Sequence, residues 1–192
     1  MKKNAIFFLF FIFTIIFTGA QSRLGTEDGS LNEEPLNHAT SINSFRNINL
    51  GMTLDQVKKI IGEDPYFNYS GDDDVYILPA KQQTLIECSG NSYIKRAYFQ
   101  FFENKLYILI IELKEDKIDF YTMFTTLYKK YGNYIIFSPH DVVWELNNTR
   151  LALERPVIVK YIDLDVFNKL IEMGIIKSNS QNLNLKQFLD QF

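Results

Sequence analysis

Cysteine and histidine are the residues best suited to nucleophilic catalysis, and this chain has few of them. Cys88 is the single cysteine, and the two histidines are His38 and His140. A catalytic thiol needs a base within hydrogen-bond distance, but His38 lies in a polar segment, His140 lies in a turn, and Cys88 lies in a predicted strand. We therefore expect a buried structural thiol. The same residues are too few for a zinc site, which uses three or four converging ligands.

Two groups of carboxylates could support other chemistry. Residues 72–74 are three consecutive aspartates, but calcium loops alternate ligands with spacers, so a solvated acidic turn is favoured. Glu112, Glu115 and Asp116 resemble the paired carboxylates of a hydrolase, yet their place between a strand and a helix favours helix capping. We predict no catalytic residue, no metal and no cofactor. The chain is predicted not to be an enzyme, and a hydrolase is the third alternative.

Apolar side chains point to binding rather than to catalysis. Trp144, the only tryptophan, would mark a binding hot spot if exposed, although a position in the core is the preferred interpretation. Near the C-terminus, Leu185, Phe188, Leu189 and Phe192 recur at helical spacing. That segment either docks on its own domain or lies in the groove of a partner. These five residues are the predicted partner-binding residues.

An aromatic stripe offers a different binding mode. Tyr121, Phe124, Tyr128 and Tyr131 lie on one face of a predicted helix over residues 117–131. Packing of this stripe on a sheet is the preferred interpretation. An aromatic cavity between the helix and the sheet would instead suit a small hydrophobic ligand.

The elements that must position these residues alternate between helices and β-rich stretches. Thr53 and Gln56 have the spacing of a capping box ahead of a helix that is predicted to end at Gly62. Further helices are predicted over residues 117–131 and 164–173. Strands are predicted over residues 75–78, 84–88, 93–102, 105–113, 134–137, 142–146, 151–154 and 157–162.

This order predicts an α+β fold in which helices pack on one face of an antiparallel sheet. The strand over residues 105–113 is apolar on both faces, so we expect it to be central and covered twice. The domain spans residues 45–176, and its two halves, about 45–115 and 116–176, are predicted to be similar.

The N-terminus has the features of an export signal. Residues 1–20 combine Lys2 and Lys3, an apolar run, and small residues at a cleavage site after Ala20. We predict a signal peptide over residues 1–20, or an anchor if cleavage fails. A flexible linker over 21–44 follows, and residues 177–192 form a tail with a short amphipathic helix. No cysteine lies near residue 20, so the protein is predicted to be periplasmic or extracellular without a lipid anchor.

Charge and hydropathy restrict the partners. The chain carries 20 Lys and Arg residues against 23 Asp and Glu residues, and removal of the leader makes it more acidic. This balance argues against nucleic acid, because phosphate binding relies on clustered cations. No second apolar stretch is long enough to span a bilayer after cleavage of the signal.

A family resemblance adds to this interpretation. The stretch Ile-Asn-Leu-Gly-Met-Thr-Leu-Asp-Gln-Val, residues 48–57, followed by Ile-Ile-Gly and Pro65, resembles the opening of SmpA/OmlA (BamE-like) domains. Residues 98–106 look like their later strand-turn-strand, so the resemblance covers residues 48–113. It is shared with the beta-lactamase-inhibitor-like tandem scaffold. It implies helices on one face of an antiparallel sheet and a role in binding other envelope proteins. The lipid-bearing cysteine of the outer-membrane members is missing.

The leading hypothesis is therefore a non-enzymatic exported envelope protein that binds another protein through a sheet face or edge. The alternative is a small-molecule or lipid carrier that uses the cavity beside helix 117–131.

Overall fold

The computed structural model describes residues 41–78 and 82–175. The predicted signal peptide, most of the linker and the C-terminal tail, including Leu185, Phe188, Leu189 and Phe192, lie outside these residues. The helices are α1 (Leu54–Glu63), α2 (Phe120–Tyr131) and α3 (Leu164–Glu172). The strands are β1 (Ser44–Phe45), β2 (Ile48–Asn49), β3 (Phe67–Asn68), β4 (Val75–Ile77), β5 (Gln83–Gly90), β6 (Ile94–Phe102), β7 (Lys105–Leu113), β8 (Ile136–Phe137), β9 (Asp141–Leu146), β10 (Thr149–Glu154) and β11 (Ile158–Asp163).

The strands form one nine-stranded antiparallel sheet and a separate hairpin of β1 and β2. The order in the large sheet is β3-β5-β6-β7-β11-β10-β9-β8, and β4 also pairs with β5. Strands of the first half of the chain thus lie on one side, and strands of the second half lie on the other. Each half runs from a helix through short edge strands, β3 and β4 in the first half and β8 in the second, into a three-stranded meander. The α+β class is confirmed.

The central strand β7 has buried apolar side chains on both faces of the sheet, so both faces must be covered by other parts of the chain. It lies between β6 and β11, and Leu109 and Ile111 belong to the core on one face while Ile108 and Ile110 belong to the core on the other. We call these the first face and the second face. Burial of both sides of a strand is expected only where layers cover both faces.

The helices divide between the two faces, in contrast to the prediction of a single helical face. Val57 and Ile61 of α1 and Leu127 of α2 pack in the first-face core. Helix α3 packs on the second face through Phe167 and Leu170. Placement of α3 on the helical face is therefore the part of the prediction that is wrong. Helix α3 follows β11 without a linker and covers the apolar residues of β7 that the first-face helices cannot reach.

A β-bulge at Tyr107 alters the alternation of β7. Phe101 pairs with Leu106 and Gln100 pairs with Ile108, so Tyr107 is the extra residue. The Tyr107 hydroxyl donates to Gln100 Oε1 at 3.1 Å and accepts from Gln83 Nε2 at 3.5 Å. The bulge thereby gives three buried polar side chains hydrogen-bond partners on the second face, and buried polar groups require such partners.

Helix α1 is fixed at both ends by local hydrogen bonds. The predicted capping box is present between Thr53 and Gln56. The helix continues past Gly62 to Glu63, because the N–H of Asp64 donates to the carbonyl of Ile60. None of the helices in residues 41–78 and 82–175 is long and apolar enough to cross a membrane.

Candidate functional site

The structure separates the groups that could form a catalytic pair. Cys88 is buried in β5, and His140 is exposed next to β9. Four strands lie between β5 and β9, which places them about 24 Å apart along the sheet. Burial raises the pKa of the Cys88 thiol to about 12, with smaller contributions from Asp74 and Glu87. A thiol in this environment stays protonated at neutral pH and is a poor nucleophile.

The acidic residues singled out in the sequence have structural partners. Asp72 pairs with Lys58 at 3.0 Å, and Asp74 accepts from the N–H of Ser70 at 2.7 Å. Glu112 pairs with Lys95 at 2.6 Å. Across residues 41–78 and 82–175, the structure brings together no group of three or more His, Cys, Asp or Glu side chains that could hold a metal ion.

A cluster of aromatic side chains between α2 and the β8–β9 edge is the most distinctive surface feature. Helix α2 begins at N-cap Asp119, which accepts from the N–H of Thr122 at 2.7 Å, and ends at Gly132, whose φ of +77° turns the chain back toward β8. The turn places residues after the helix beside residues on it. We call this cluster the aromatic surface; its members are Tyr121, Phe124, Tyr128, Tyr134 and Phe137.

Phe124 lies at the centre of the aromatic surface. Its ring centroid is 6.0 Å from that of Tyr128, 6.0 Å from that of Tyr134 and 5.9 Å from that of Phe137. Tyr134 and Phe137 are themselves 5.3 Å apart. These separations lie in the range at which aromatic pairs attract one another beyond their buried area. The rings therefore form one contiguous group.

The buried ring of Trp144 packs beneath the aromatic surface. Its side chain is 2% exposed, and its Nε1–H donates to the carbonyl of Gly132 at 2.9 Å. Its ring lies 6.4 Å from Phe124 and meets Tyr134 edge to face at 6.4 Å. The core interpretation of Trp144, which the sequence left open, is the one the structure shows. Trp144 therefore supports the aromatic surface from below and is not itself an exposed residue of it.

The outer members of the aromatic surface are open to solvent. Tyr121 is 71% exposed, Phe137 is 61% exposed, and neighbouring Ile135 is 56% exposed. Packing of the whole stripe on the sheet was expected, but Tyr121 and Tyr128 face outward. Tyr134 and Phe137 were not predicted to belong to a site. The run Tyr-Ile-Ile-Phe at residues 134–137 was the available signal, since it lacks the alternation of a half-buried strand.

Lysines and aspartates both lie near the aromatic surface. Lys129 and Lys130 are exposed in the last turn of α2. The nearby carboxylates are engaged, because Asp119 caps the helix and Asp141 accepts from the hydroxyl of Ser138. The hydrogen bonds from Thr122 also lower the pKa of Asp119. A hydrogen bond from a neutral donor does not cancel the charge of a carboxylate, so charged groups of both signs lie near the exposed rings.

A cavity of about 250 Å³ lies between α2 and the sheet. Met123 of α2, Ile111 of β7 and Tyr161 of β11 line it, together with Phe45 and Tyr66. Arg46 also lines it and bonds to Asp64 at 2.6 Å. The aromatic rings of the predicted stripe are not among the lining residues, so the cavity and the aromatic surface are distinct.

Comparison with known proteins identifies a family. A model of the TP0088 domain matches residues 43–173. The chain belongs to the TP0088 domain family. The matched range extends from before β1 to the end of α3, so the aromatic surface and the cavity both lie within the TP0088 domain. The chain matches no curated protein and no solved structure.

Buried tyrosine hydroxyls and the buried Cys88 thiol should make the stability of this domain depend on pH. Burial raises the pKa of Tyr98 to about 12 and raises the pKa values of Tyr107 and Tyr161 strongly. Cys88 behaves in the same way. In the unfolded chain these groups lose their protons at lower pH, near 8.5 for a thiol and about 10 for a phenol. The stabilisation is therefore complete below those values and is lost as the pH rises toward 12.

We expect the free energy of unfolding to fall steeply between pH 10 and pH 11, by roughly 1.4 kcal/mol per pH unit for each such group. Urea unfolding at pH 8, 10 and 11 measures this. Replacing exposed Tyr121 with phenylalanine is the control and should leave the pH profile unchanged. A stability that is constant from pH 8 to pH 11 would contradict the assignment of buried phenols.

Proposed function

We propose that this chain is a non-enzymatic, exported protein-binding module of the cell envelope, and that the aromatic surface is its docking face. The observation that carries the proposal is the contiguous exposure of large rings. Monomeric soluble proteins rarely leave extended apolar patches uncovered, and tyrosine and tryptophan are enriched at binding hot spots. The predicted signal peptide supports a location outside the cytoplasm.

The aromatic surface has the rigidity that favours tight binding. Phe124 is half-buried and joins the first-face core, and Trp144 beneath it is hydrogen-bonded to the backbone. Side chains held in place before binding lose less conformational entropy when a partner docks. A partner therefore meets preformed rings rather than mobile ones.

Charged side chains near the aromatic surface add to the selection of a partner. Lys129 and Lys130 are exposed in the last turn of α2, and the Asp119 and Asp141 carboxylates are hydrogen-bonded within the chain. Such a surface fits an exported protein that presents apolar side chains with charged groups of both signs around them. Opposite charges at the rim speed association and select the correct partner more than they add affinity.

The resemblance of residues 48–113 to SmpA/OmlA domains supports the same class of function. Those domains pair helices with an antiparallel sheet and bind proteins in the cell envelope. The proposal takes from them only the general role of protein binding, and the location of the surface comes from the aromatic cluster.

Substitution of the two most exposed rings tests the proposal. Tyr121→Ser and Phe137→Ser should each lower the affinity for the partner at least tenfold, since a hot-spot residue contributes about 2 kcal/mol or more. The partner is first recovered from cross-linked envelopes with the unmodified protein, and the variants are then titrated against it. Ile77→Ser is the matched control, because Ile77 is 89% exposed in β4 at the other end of the sheet.

Two outcomes would contradict this docking face. The first is recovery of the same partner, with the same affinity, by the Phe137→Ser and Tyr121→Ser variants. The second is an equal loss with Ile77→Ser, which would place the contact at the opposite edge of the sheet.

The cavity supports a second candidate, a carrier of a small hydrophobic ligand. Its volume of about 250 Å³ lies below the roughly 300–1,000 Å³ of typical ligand pockets, so it ranks behind the aromatic surface. Native mass spectrometry of the purified protein distinguishes the two. A carrier retains a bound mass, and Met123→Trp, which fills the cavity, should remove it, while the Phe137→Ser variant should keep it.

A further inference from the structure

The cavity between α2 and the sheet is apolar on its inner side and polar on its outer side. Ile94, Ile111 and Val159 form part of its inner wall and are 2%, 1% and 2% exposed. On the outer side, Tyr93 is 50% exposed, and the side chain of Arg46 is 40% exposed. We call this outer side the mouth. A molecule in the cavity would therefore have apolar contacts on one side and a guanidinium group on the other.

The guanidinium group of Arg46 is held in place at the mouth. Its Nε donates to Asp64 Oδ2 at 2.6 Å, and its Cζ lies 4.4 Å from the ring centroid of Tyr66, which also lines the cavity. Asp64 is fixed in turn, because its Oδ1 accepts from the N–H of Tyr66 at 3.0 Å. A planar guanidinium stacks well on an aromatic face. The donors at the mouth are thus positioned before any ligand binds.

Arg46 has hydrogen-bond donors left over for a ligand. A guanidinium carries N–H groups on Nε, Nη1 and Nη2. Within residues 41–78 and 82–175, its hydrogen bond to the protein is the one from Nε to Asp64. The N–H groups on Nη1 and Nη2 are therefore available to an oxygen atom of a molecule in the cavity.

The mouth offers these donors without a net charge. Of the described residues that line the cavity, Arg46 alone is charged, and the carboxylate of Asp64 balances it. Moving an anion out of water into such a site costs far more free energy than moving an uncharged oxygen that gains a hydrogen bond. The geometry therefore favours an uncharged acceptor over a carboxylate.

The volume of the cavity limits the size of the ligand. An apolar cavity of roughly 150 Å³ can hold benzene. The volume here is about 250 Å³, which leaves room for a ring of that size with one short substituent.

We propose that the cavity binds a small apolar molecule, about the size of a substituted benzene, whose uncharged oxygen accepts a hydrogen bond from the Nη groups of Arg46. The proposal rests on the second candidate function, a carrier, and specifies the chemistry of its ligand. It is independent of the aromatic surface, whose rings do not line this cavity.

Three probes of similar size test the proposal in the purified protein. Acetophenone has an uncharged carbonyl oxygen, cumene has no acceptor, and benzoate has a charged one. The methyl NMR signal of isotope-labelled Met123, which lines the cavity, reports the affinity, and exposed Met173 is the internal reference. Acetophenone should bind about tenfold or more tightly than cumene or benzoate, since a hydrogen bond from a charged donor favours it.

A change of charge at the mouth should reverse the discrimination against benzoate. Asp64→Asn keeps an oxygen for the N–H of Tyr66 and leaves Arg46 with its positive charge unbalanced. The affinity for benzoate should rise about tenfold or more, because a nearby like charge has been removed, while the affinity for acetophenone should change little.

The matched control for that variant is Glu145→Gln. Glu145 accepts from Nε of Arg150 at 2.6 Å, so this substitution also removes the carboxylate of an arginine pair. The two residues adjoin Trp144 and Leu151 of the first-face core in their strands, and therefore lie on the second face. Glu145→Gln should leave the affinities for all three probes unchanged.

Removal of the donors completes the test. Arg46→Met is made together with Asp64→Asn, so that no buried carboxylate loses its counter-charge. In this double variant acetophenone should lose its advantage over cumene. If the double variant does not fold, the comparison of Asp64→Asn with Glu145→Gln decides the role of the mouth.

The possible failures are distinguishable. Cumene or benzoate binding to the unmodified protein as tightly as acetophenone would overturn the proposed ligand chemistry and leave the carrier function standing. An equal response of benzoate to Asp64→Asn and Glu145→Gln would overturn it as well. A Met123 signal that none of the three probes shifts would overturn both this proposal and the carrier function.

Discussion

Replacing Trp144 with alanine should lower the free energy of unfolding by about 3–5 kcal/mol, the usual cost of removing a large buried ring. The indole is buried among Phe124, Tyr134 and the first-face core. Its removal also leaves the Gly132 carbonyl without the bond from Nε1. Because Phe124 and Tyr134 would no longer pack against the indole, partner binding should fall as well. Urea unfolding followed by circular dichroism measures the change, since the only tryptophan is absent from the variant.

Two variants separate the contributions of Trp144. Trp144→Phe keeps most of the volume and loses the hydrogen bond, so we expect a smaller loss of about 1–2 kcal/mol. Phe137→Ala removes an exposed ring from the same surface and should change stability by less than about 1 kcal/mol while still weakening partner binding. A loss below about 1 kcal/mol for Trp144→Ala would show that the indole does not support this region.

The ion pair between Glu154 and Lys160 should respond in opposite ways to its two substitutions. Lys160 Nζ lies 2.5 Å from Glu154 Oε2, and the exposed fractions of the two side chains are 7% and 16%. Glu154→Gln leaves the Lys160 ammonium buried without its counter-charge, and breaking a buried pair in this way costs about 3–5 kcal/mol. Lys160→Met keeps the unbranched side chain apart from its terminal ammonium group and removes the charge, and such apolar replacements are often neutral or stabilising. Urea unfolding at pH 7 measures both variants.

The exposed pair of Lys58 and Asp72 is the control for this comparison. Asp72 has a side chain that is 94% exposed, and exposed pairs contribute about 0–1 kcal/mol. Asp72→Asn should therefore have little effect. Equal effects of Glu154→Gln and Asp72→Asn would show that water reaches Lys160.

Local features of the fold could be predicted because the residues that determine them are close in sequence. The capping box at Thr53 and Gln56 fixes the start of α1. The tight turn between β6 and β7 uses Glu103 and Asn104 with positive φ, as asparagine readily allows. Gly132 ends α2 at a positive φ. In each case the backbone geometry follows from one or two residues.

Features that depend on distant residues could not be predicted in the same way. The apolar pattern of α2 does not indicate which rings meet the sheet, so Tyr121 and Tyr128 were expected to be covered. The bulge at Tyr107 shifts one side chain to the other face and leaves no mark in the alternation of a strand that is apolar throughout. The position of α3 depends on β7 pairing with β11, which no local pattern shows.

The sheet ends in unusually short strands, and this bears on how the protein behaves at high concentration. Two-residue β3 and β8 lie at the ends of the strand order, and β4 beside β5 has three residues. Such short segments expose few unpaired backbone groups, so a neighbouring molecule has little to extend by adding a strand. We therefore expect the folded protein to resist fibrillar aggregation even though its central strands are rich in isoleucine, leucine and phenylalanine.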